Sequence, residues 1–327
     1  MRVLVTGGSG FIGSHVVNRL MACGHQPRVF DLVLSARHVA DGVESVVGDI
    51  LDASALREAM RGCDAVVHLA AVADVDEVAL DPLRAEVVNT RGTGVMLETA
   101  RAEGIRHLVY GSTIWVYGNA PGIDPLGEDT LLVAPDHLYT ATKLAGEMYC
   151  RSYAAMYGLA PTILRFGIPH GPGARDATVV ARFVARALAG EPLSINGDGN
   201  QARQFVYVED LAEGIVSSLT EAAQGRTYNL VGEETVSVRE IAGIVGDLIG
   251  NVSIVHVPGR QSDLARVQIS GLRAWEELGW RTTTPFADGV ARYIESVTAT
   301  NGSPSSSTAA RIPGSAATVL RQEFGAL

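Results

Sequence analysis

The chain has 327 residues, with 26 lysines and arginines against 36 aspartates and glutamates, a formal charge of −10. That balance argues against a nucleic-acid or anionic-membrane partner, while a few placed arginines can still hold an anionic small ligand. Hydrophobic residues make up 47% and glycines number 36, the composition of a soluble α/β protein of one large or two unequal domains. Three scattered cysteines, Cys23, Cys63 and Cys150, form no CxxC pair and point to reduced thiols in a cytoplasmic protein, with no metal site. No apolar run reaches the ~18 residues of a membrane span, and Arg2-Val-Leu-Val5 leads straight into a glycine loop, as a structural strand rather than a signal peptide.

Val3–Val5, Pro27–Phe30, Ser45–Val47, Ala65–Leu69 and His107–Tyr110 read as buried strands, and the stretches Gly13–Cys23, Ala53–Arg61 and Leu83–Glu103 have helical periodicity. Their alternation predicts an α/β fold with a doubly wound parallel sheet, a Rossmann domain over residues 1–166. A long helix, Tyr139–Tyr157, and a strand, Thr162–Phe166, complete it. Beyond 166 the turns Gly171-Pro-Gly173 and Asn196-Gly-Asp-Gly199 separate mixed helices and short strands. These predict a smaller mixed α/β substrate domain over 167–297, with a segment near 203–222 returning to the first domain. Residues 298–327 are low in complexity and read as a flexible tail.

Gly7, Gly10 and Gly13 stand between a strand and a helix. The first two allow a tight turn and close approach to a pyrophosphate, and the third lets helix and strand pack. Asp31 ends the second strand eighteen residues after Gly13, where a carboxylate accepts from an adenosine ribose and repels a 2′-phosphate, favouring NAD over NADP. Asp49 is placed to receive the adenine amino group or to make a turn. His68-Leu-Ala-Ala71 ends the fourth strand in small residues that suit a nearby cofactor, with His68 read as a packed core histidine. Tyr139 and Lys143 lie one helical turn apart, and an ammonium beside a phenol favours the phenolate, a usable base near neutral pH. By spacing alone either Ser112 or Thr113, after the fifth strand, can offer a hydroxyl to substrate, with a strand-end cap as the competing reading.

These elements together resemble the extended short-chain dehydrogenases, the NAD-dependent epimerase/dehydratase family acting on nucleotide sugars. Thr6-Gly-Gly-Ser-Gly-Phe-Ile-Gly13, Asp31, Gly48-Asp49, His68-Leu-Ala-Ala71, Asn89-Thr-Arg-Gly-Thr93, Gly111-Ser-Thr-Ile-Trp-Val-Tyr-Gly118 and the Tyr139/Lys143 pair occur in family order. Leu164-Arg-Phe166, Gly171-Pro172, Gly197-Asp-Gly199, Arg203-Gln-Phe-Val-Tyr-Val-Glu-Asp210 and Leu278-Gly-Trp280 extend the likeness over about residues 1–295. The resemblance implies Thr113 as the catalytic Ser/Thr, Tyr139 as the acid/base and Lys143 as the residue that binds the nicotinamide ribose and tunes the tyrosine. It adds Phe11, Ile12, Ile50, Leu69, Ala70, Ala71 and Asn89 to the cofactor set, Asn89 acting through the backbone. On the substrate side it implies Arg203 and the Arg260/Asp263 pair for a nucleoside diphosphate, UDP by family preference. Arg175, in a Gly-Pro-Gly-Ala-Arg stretch, resembles an arginine of UDP-glucuronate 4-epimerases.

Family dehydratases and decarboxylases place acidic residues after the catalytic Thr, where this chain has Ile114 and Trp115. The resemblance therefore implies a UDP-sugar 4-epimerase working through a transient 4-keto sugar, on UDP-glucose/UDP-galactose or UDP-glucuronate/UDP-galacturonate. The rivals are a nucleotide-sugar dehydratase or 4-keto-reductase of the same fold and a non-catalytic NAD-binding sensor. Phe166-Gly-Ile168 lacks the asparagine many members carry there, and no aspartate stands near Ser270, so the sugar is left open. Helices Leu83–Glu103 and Tyr139–Tyr157 resemble the pair through which the family forms homodimers.

Overall fold

In a computed structural model, residues 1–118, 125–250, 252–258 and 268–301 are described. The first half runs β1 (Arg2–Thr6), α1 (Phe11–Ala22), β2 (Gln26–Asp31), α2 (Ala36–Ala40), β3 (Glu44–Val47), α3 (Ala53–Met60), β4 (Ala65–His68), α4 (Val75–Leu80), α5 (Pro82–Glu86), a π-turn (Val87–Arg91), α6 (Gly92–Ala102), β5 (His107–Thr113), α7 (Leu138–Tyr157) and β6 (Ala160–Phe166). The second half holds β7 (Ile168–His170), α8 (Val179–Leu188), β8 (Leu193–Asn196), β9 (Ala202–Tyr207), α9 (Val208–Ser217), β10 (Thr227–Leu230), β11 (Thr235–Ser237), α10 (Val238–Ile249), β12 (Ile254–Val257), α11 (Leu272–Leu278) and α12 (Phe286–Asn301).

Seven strands form one sheet in the order β3-β2-β1-β4-β5-β6-β10, with β1–β2, β2–β3, β1–β4 and β4–β5 all parallel. This is the doubly wound Rossmann arrangement. The order reverses between β1 and β4, the switch point at whose carboxyl end such sheets bind ligands. Strand β4 is buried throughout, as its unbroken Ala-Val-Val-His run requires. Smaller sheets follow in the C-terminal half: β9 pairs antiparallel with β11 and parallel with β7, and β8 pairs parallel with β12.

The chain divides into two compact units. Among the described residues, 1–112 and 135–163 form one, and those within 113–134 and 164–301 the other. Leu4, Phe30, Leu56, Met60, Met96 and Leu108 centre the core of the first unit. Val184, Ile195, Ile241, Val245 and Val290 centre a core in the second. Strand β9 and helix α9, which cover most of 203–222, belong to the second unit. Helix α12 extends to Asn301, and 302–327 lie outside the described residues.

The helix expected over Leu83–Glu103 forms without a gap from Pro82 to Ala102, with αR backbone at each junction and one π-turn inserted at Val87–Arg91. Pro82 opens α5 at its first turn, where a missing N–H costs nothing. The π-turn then holds Asn89, whose side chain is bonded to the backbone of Val72 at 2.7 and 2.9 Å. An inserted residue of this kind is how a helix re-aims a side chain. At Gly92 the α-helix packs closely on Ile50, whose Cδ1 would lie 2.5 Å from an added β-carbon.

Candidate active site

The glycine loop is held by contacts that admit no side chain. Gly7 has φ +72°, and an added Cβ would lie 2.7 Å from Ala70 N, while one on Gly13 would lie 2.1 Å from Gly7 O. The loop thus abuts Ala70 on one side and the first turn of α1 on the other. Helix α1 has Gly10 as N-cap, no side-chain cap and no acidic residue in its first turn. Among the described residues no group accepts from the N–H of Phe11 or Ile12, which leaves donors and a positive helix end for an anion.

Asp31 Oδ2 accepts from Ser9 N at 3.0 Å. Burial pushes the Asp31 carboxyl above its usual range, against the pull of the backbone N–H groups of Ser9, Val33 and Leu32. Asp49 Oδ1 accepts from Leu51 N at 2.9 Å, and among the described residues Oδ2 has no protein donor. The Ile50 side chain is buried against Gly92. Leu69, Ala70 and Ala71 are half-buried after β4. An uncapped helix end, a loop too close for any Cβ and a carboxylate at the end of β2 suit the pyrophosphate and adenosine ribose of a dinucleotide.

Helix α7 carries Tyr139 and Lys143. Tyr139 is half-buried and packs with Val72, Val78 and Ala85. Its ring stacks on His137, the N-cap, with centroids 6.4 Å apart. Lys143 is buried, with Nζ donating to Gly111 O at 2.9 Å and lying 5.2 Å from the Tyr110 ring centroid. Burial lowers the Lys143 pKa from 10.5 to about 8. Gly146 is required because Tyr110 Oη, which bonds Lys143 O at 3.2 Å, occupies the space of a Cβ. Asn89 Nδ2 donates to Thr142 Oγ1 at 3.0 Å, and Thr142 Oγ1 donates to Tyr139 O at 2.8 Å. The π-turn is thereby tied to the start of α7.

The two hydroxyls that spacing left open are used differently. Ser112 is buried and donates to Glu147 Oε1 at 2.7 Å. Thr113, last in β5, accepts from Trp115 N at 3.2 Å, which leaves its own proton for a further acceptor. The second unit also holds Arg175, exposed in the turn before α8, and Arg203, half-buried in β9 with Nη1 bonded to Ala202 O at 2.8 Å. Arg260 and Asp263 lie outside the described residues. Glu147, Thr142 and Thr93 were not singled out from sequence, although each lies three or four residues after a residue that was. Among the described residues no cluster of His, Cys, Asp or Glu could hold a metal ion, and no helix is long and apolar enough to cross a membrane.

Residues 3–231 match the model of the NAD dependent epimerase/dehydratase family. The chain belongs to this family. It is 36% identical over 310 residues to a UDP-glucose 4-epimerase of Mycolicibacterium smegmatis, covering 90% of this chain and 98% of that one. It is 31% identical over 306 residues to a dTDP-glucose 4,6-dehydratase of Streptomyces griseus, covering 89% and 92%. Among solved structures, a UDP-glucose 4-epimerase of Thermus thermophilus in complex with NAD superposes with a TM-score of 0.82 at 33% identity, over 91% of this chain and 99% of that one. As a family member the chain is NAD-dependent, in keeping with the uncapped α1 end and the Asp31 carboxylate. Relatives of similar identity isomerise or dehydrate their sugars, so the reaction must be read from individual side chains.

Proposed function

We propose that the chain is an NAD-dependent UDP-sugar 4-epimerase, acting on UDP-glucose/UDP-galactose or UDP-glucuronate/UDP-galacturonate. The observation that carries the choice of reaction is the pair after Thr113, buried Ile114 and half-buried Trp115. Eliminating water needs one group to remove a carbon-bound proton and another to protonate the leaving hydroxide. Oxidation at C4 reversed on the opposite face needs one group that takes a proton and returns it.

Tyr139 is that group, removing the C4 hydroxyl proton and restoring it after the keto sugar has turned. Lys143, fixed on Gly111 O, supplies the positive charge that favours the phenolate. Thr113 donates its free proton to the C4 oxygen. NAD, held by residues 1–166 at Gly7, Gly10, Phe11, Ile12, Gly13, Asp31 and Asp49, supplies reversible hydride acceptance. Residues 167–297 take the sugar nucleotide, with Arg203 for the diphosphate and Arg175 for a uronate carboxylate; Arg260 and Asp263 are assigned to the nucleoside side. The exposed Met148, Tyr149, Met156 and Tyr157 of α7 support a homodimer. The three unpaired cysteines support a cytoplasmic location.

The test is incubation of the purified protein with UDP-glucose, UDP-N-acetylglucosamine and UDP-glucuronate, with products identified by NMR. A C4 epimer without net cofactor reduction is expected. A deoxy-keto product, stoichiometric cofactor turnover or no product at all would refute the reading. Tyr139→Phe should abolish turnover while NAD stays bound, and near-normal activity would sink the mechanism.

A further inference from the structure

We propose that His68 is a positioning residue, a neutral imidazole with its proton on Nε2. In this role it locks the loop after β4 to the π-turn and, through Asn89 and Thr142, to the backbone of Tyr139. The proton positions follow by counting. Thr93 Oγ1 has one proton and gives it to Asn89 O at 2.6 Å, the turn-back bond a helical threonine makes. At its 3.2 Å contact with His68 Nε2 Thr93 can therefore only accept, so Nε2 carries the hydrogen. A neutral imidazole has one N–H, which makes Nδ1 the acceptor of the Thr6 hydroxyl at 2.7 Å. Thr6 Oγ1 in turn accepts from Ala70 N in a long contact of 3.4 Å.

A second branch is equally determined. Asn89 gives its two amide protons to Val72 O and Thr142 Oγ1 and accepts from Val72 N. Thr142 passes its proton to Tyr139 O. Thr6, His68, Asn89, Thr93 and Thr142 are all buried, so water is not at hand to replace a lost partner. The Tyr110 hydroxyl, which donates to Lys143 O, is a further hydrogen-bond neighbour of Thr93, and reversing a link among the bonds above strands a buried donor or acceptor. Lys143 and Tyr110 are the titratable groups that face the ring. Burial and the Lys143 charge hold the His68 pKa near 3, in keeping with the neutral form. Ala70 abuts Gly7, so the network joins the wall of the dinucleotide loop to the helix that carries the proposed base.

The inference deepens the proposed reaction but is read first without it. Full-length protein carrying 15N-histidine is examined by NMR, and the His68 signal among eight histidines is assigned by its loss in His68→Gln. A proton on Nε2 is expected, unchanged between pH 5 and 8, where ordinary histidines change charge. A proton on Nδ1, or a ring that titrates in that range, overturns the inference. Thr93→Val keeps the shape and removes the acceptor. It should lower kcat on UDP-galactose or UDP-glucuronate about tenfold with KM changed less than about twofold and bound NAD unchanged, and Thr93→Ser should restore kcat. Unchanged kcat in Thr93→Val overturns the positioning role. If the wild type converts neither sugar, the proposed reaction fails while the tautomer measurement still decides this inference.

Discussion

Replacing Lys143 with methionine should stabilise the cofactor-free protein near neutral pH and destabilise it at high pH. A lysine whose pKa falls from 10.5 to about 8 on folding is charged in the unfolded chain over a range where the folded protein prefers it neutral. The resulting penalty is complete below pH 8 and vanishes above 10.5, because stability rises with pH wherever the unfolded state binds more protons. At about 1.4 kcal/mol for each tenfold in the proton equilibrium, it amounts to about 3 kcal/mol. Lys143→Met removes that penalty but deprives Gly111 O of the 2.9 Å bond from Nζ, a loss of about 1 kcal/mol. The variant should thus be the more stable by about 2 kcal/mol at pH 7 and the less stable by about 1 kcal/mol near pH 11. Thermal melts of both proteins, stripped of NAD to remove ligand linkage, would be compared from pH 7 to 11. A constant difference across that range, or a less stable variant at pH 7, would refute the reasoning.

Three further changes probe other parts of the molecule. His170 is buried among Phe205, Tyr207 and Phe286 with its pKa lowered to about 4. Folded His170 stays neutral while the unfolded chain protonates below pH 6.5, so stability falls on acidification; denaturant melts at pH 6.5 and 4.5 should show His170→Phe losing about 1.4 kcal/mol less per pH unit than wild type. Asp31→Ser removes the carboxylate that repels a 2′-phosphate and should shift the ratio of NAD to NADP affinity towards NADP by at least about tenfold, measured by calorimetry. Gly13→Ala places a Cβ 2.1 Å from Gly7 O; it should cost about 3 kcal/mol or more in melts and remove co-purifying NAD.

What the sequence made legible was local. Gly7 and Gly13 declare their loop because the positive φ of Gly7 and the close backbone contacts of both exclude a Cβ. Buried parallel strands announce themselves as apolar runs, save that Ser45–Val47, read as buried, is an edge strand with Val47 exposed, and α7 is legible as a long helix. What stayed hidden depends on partners distant in the chain. The π-turn within the helix expected over Leu83–Glu103 goes with the Asn89 bonds to Val72, seventeen residues away. The use of the Ser112 hydroxyl depends on Glu147, thirty-five residues away. His68 looked like a packing residue because its roles as donor and acceptor appear only when Thr6, Thr93 and Asn89 are brought around it.

The family's breadth of chemistry follows from where these determinants lie. The groups assigned to the cofactor and to the proton are joined in the first unit by buried hydrogen bonds that constrain one another. A change at His68, Asn89 or Thr142 leaves a buried partner unpaired. Ile114, Trp115 and Arg175 stand outside those bonds of the first unit: the first two follow the strand end and the third is exposed before α8. Substitution there alters which acids, bases or cations meet the sugar without unpairing the buried network. One scaffold can thus acquire epimerases and dehydratases of comparable overall identity. Whole-chain likeness accordingly establishes the dependence on NAD, and the proposed choice between epimerisation and dehydration rests on the side chains after Thr113.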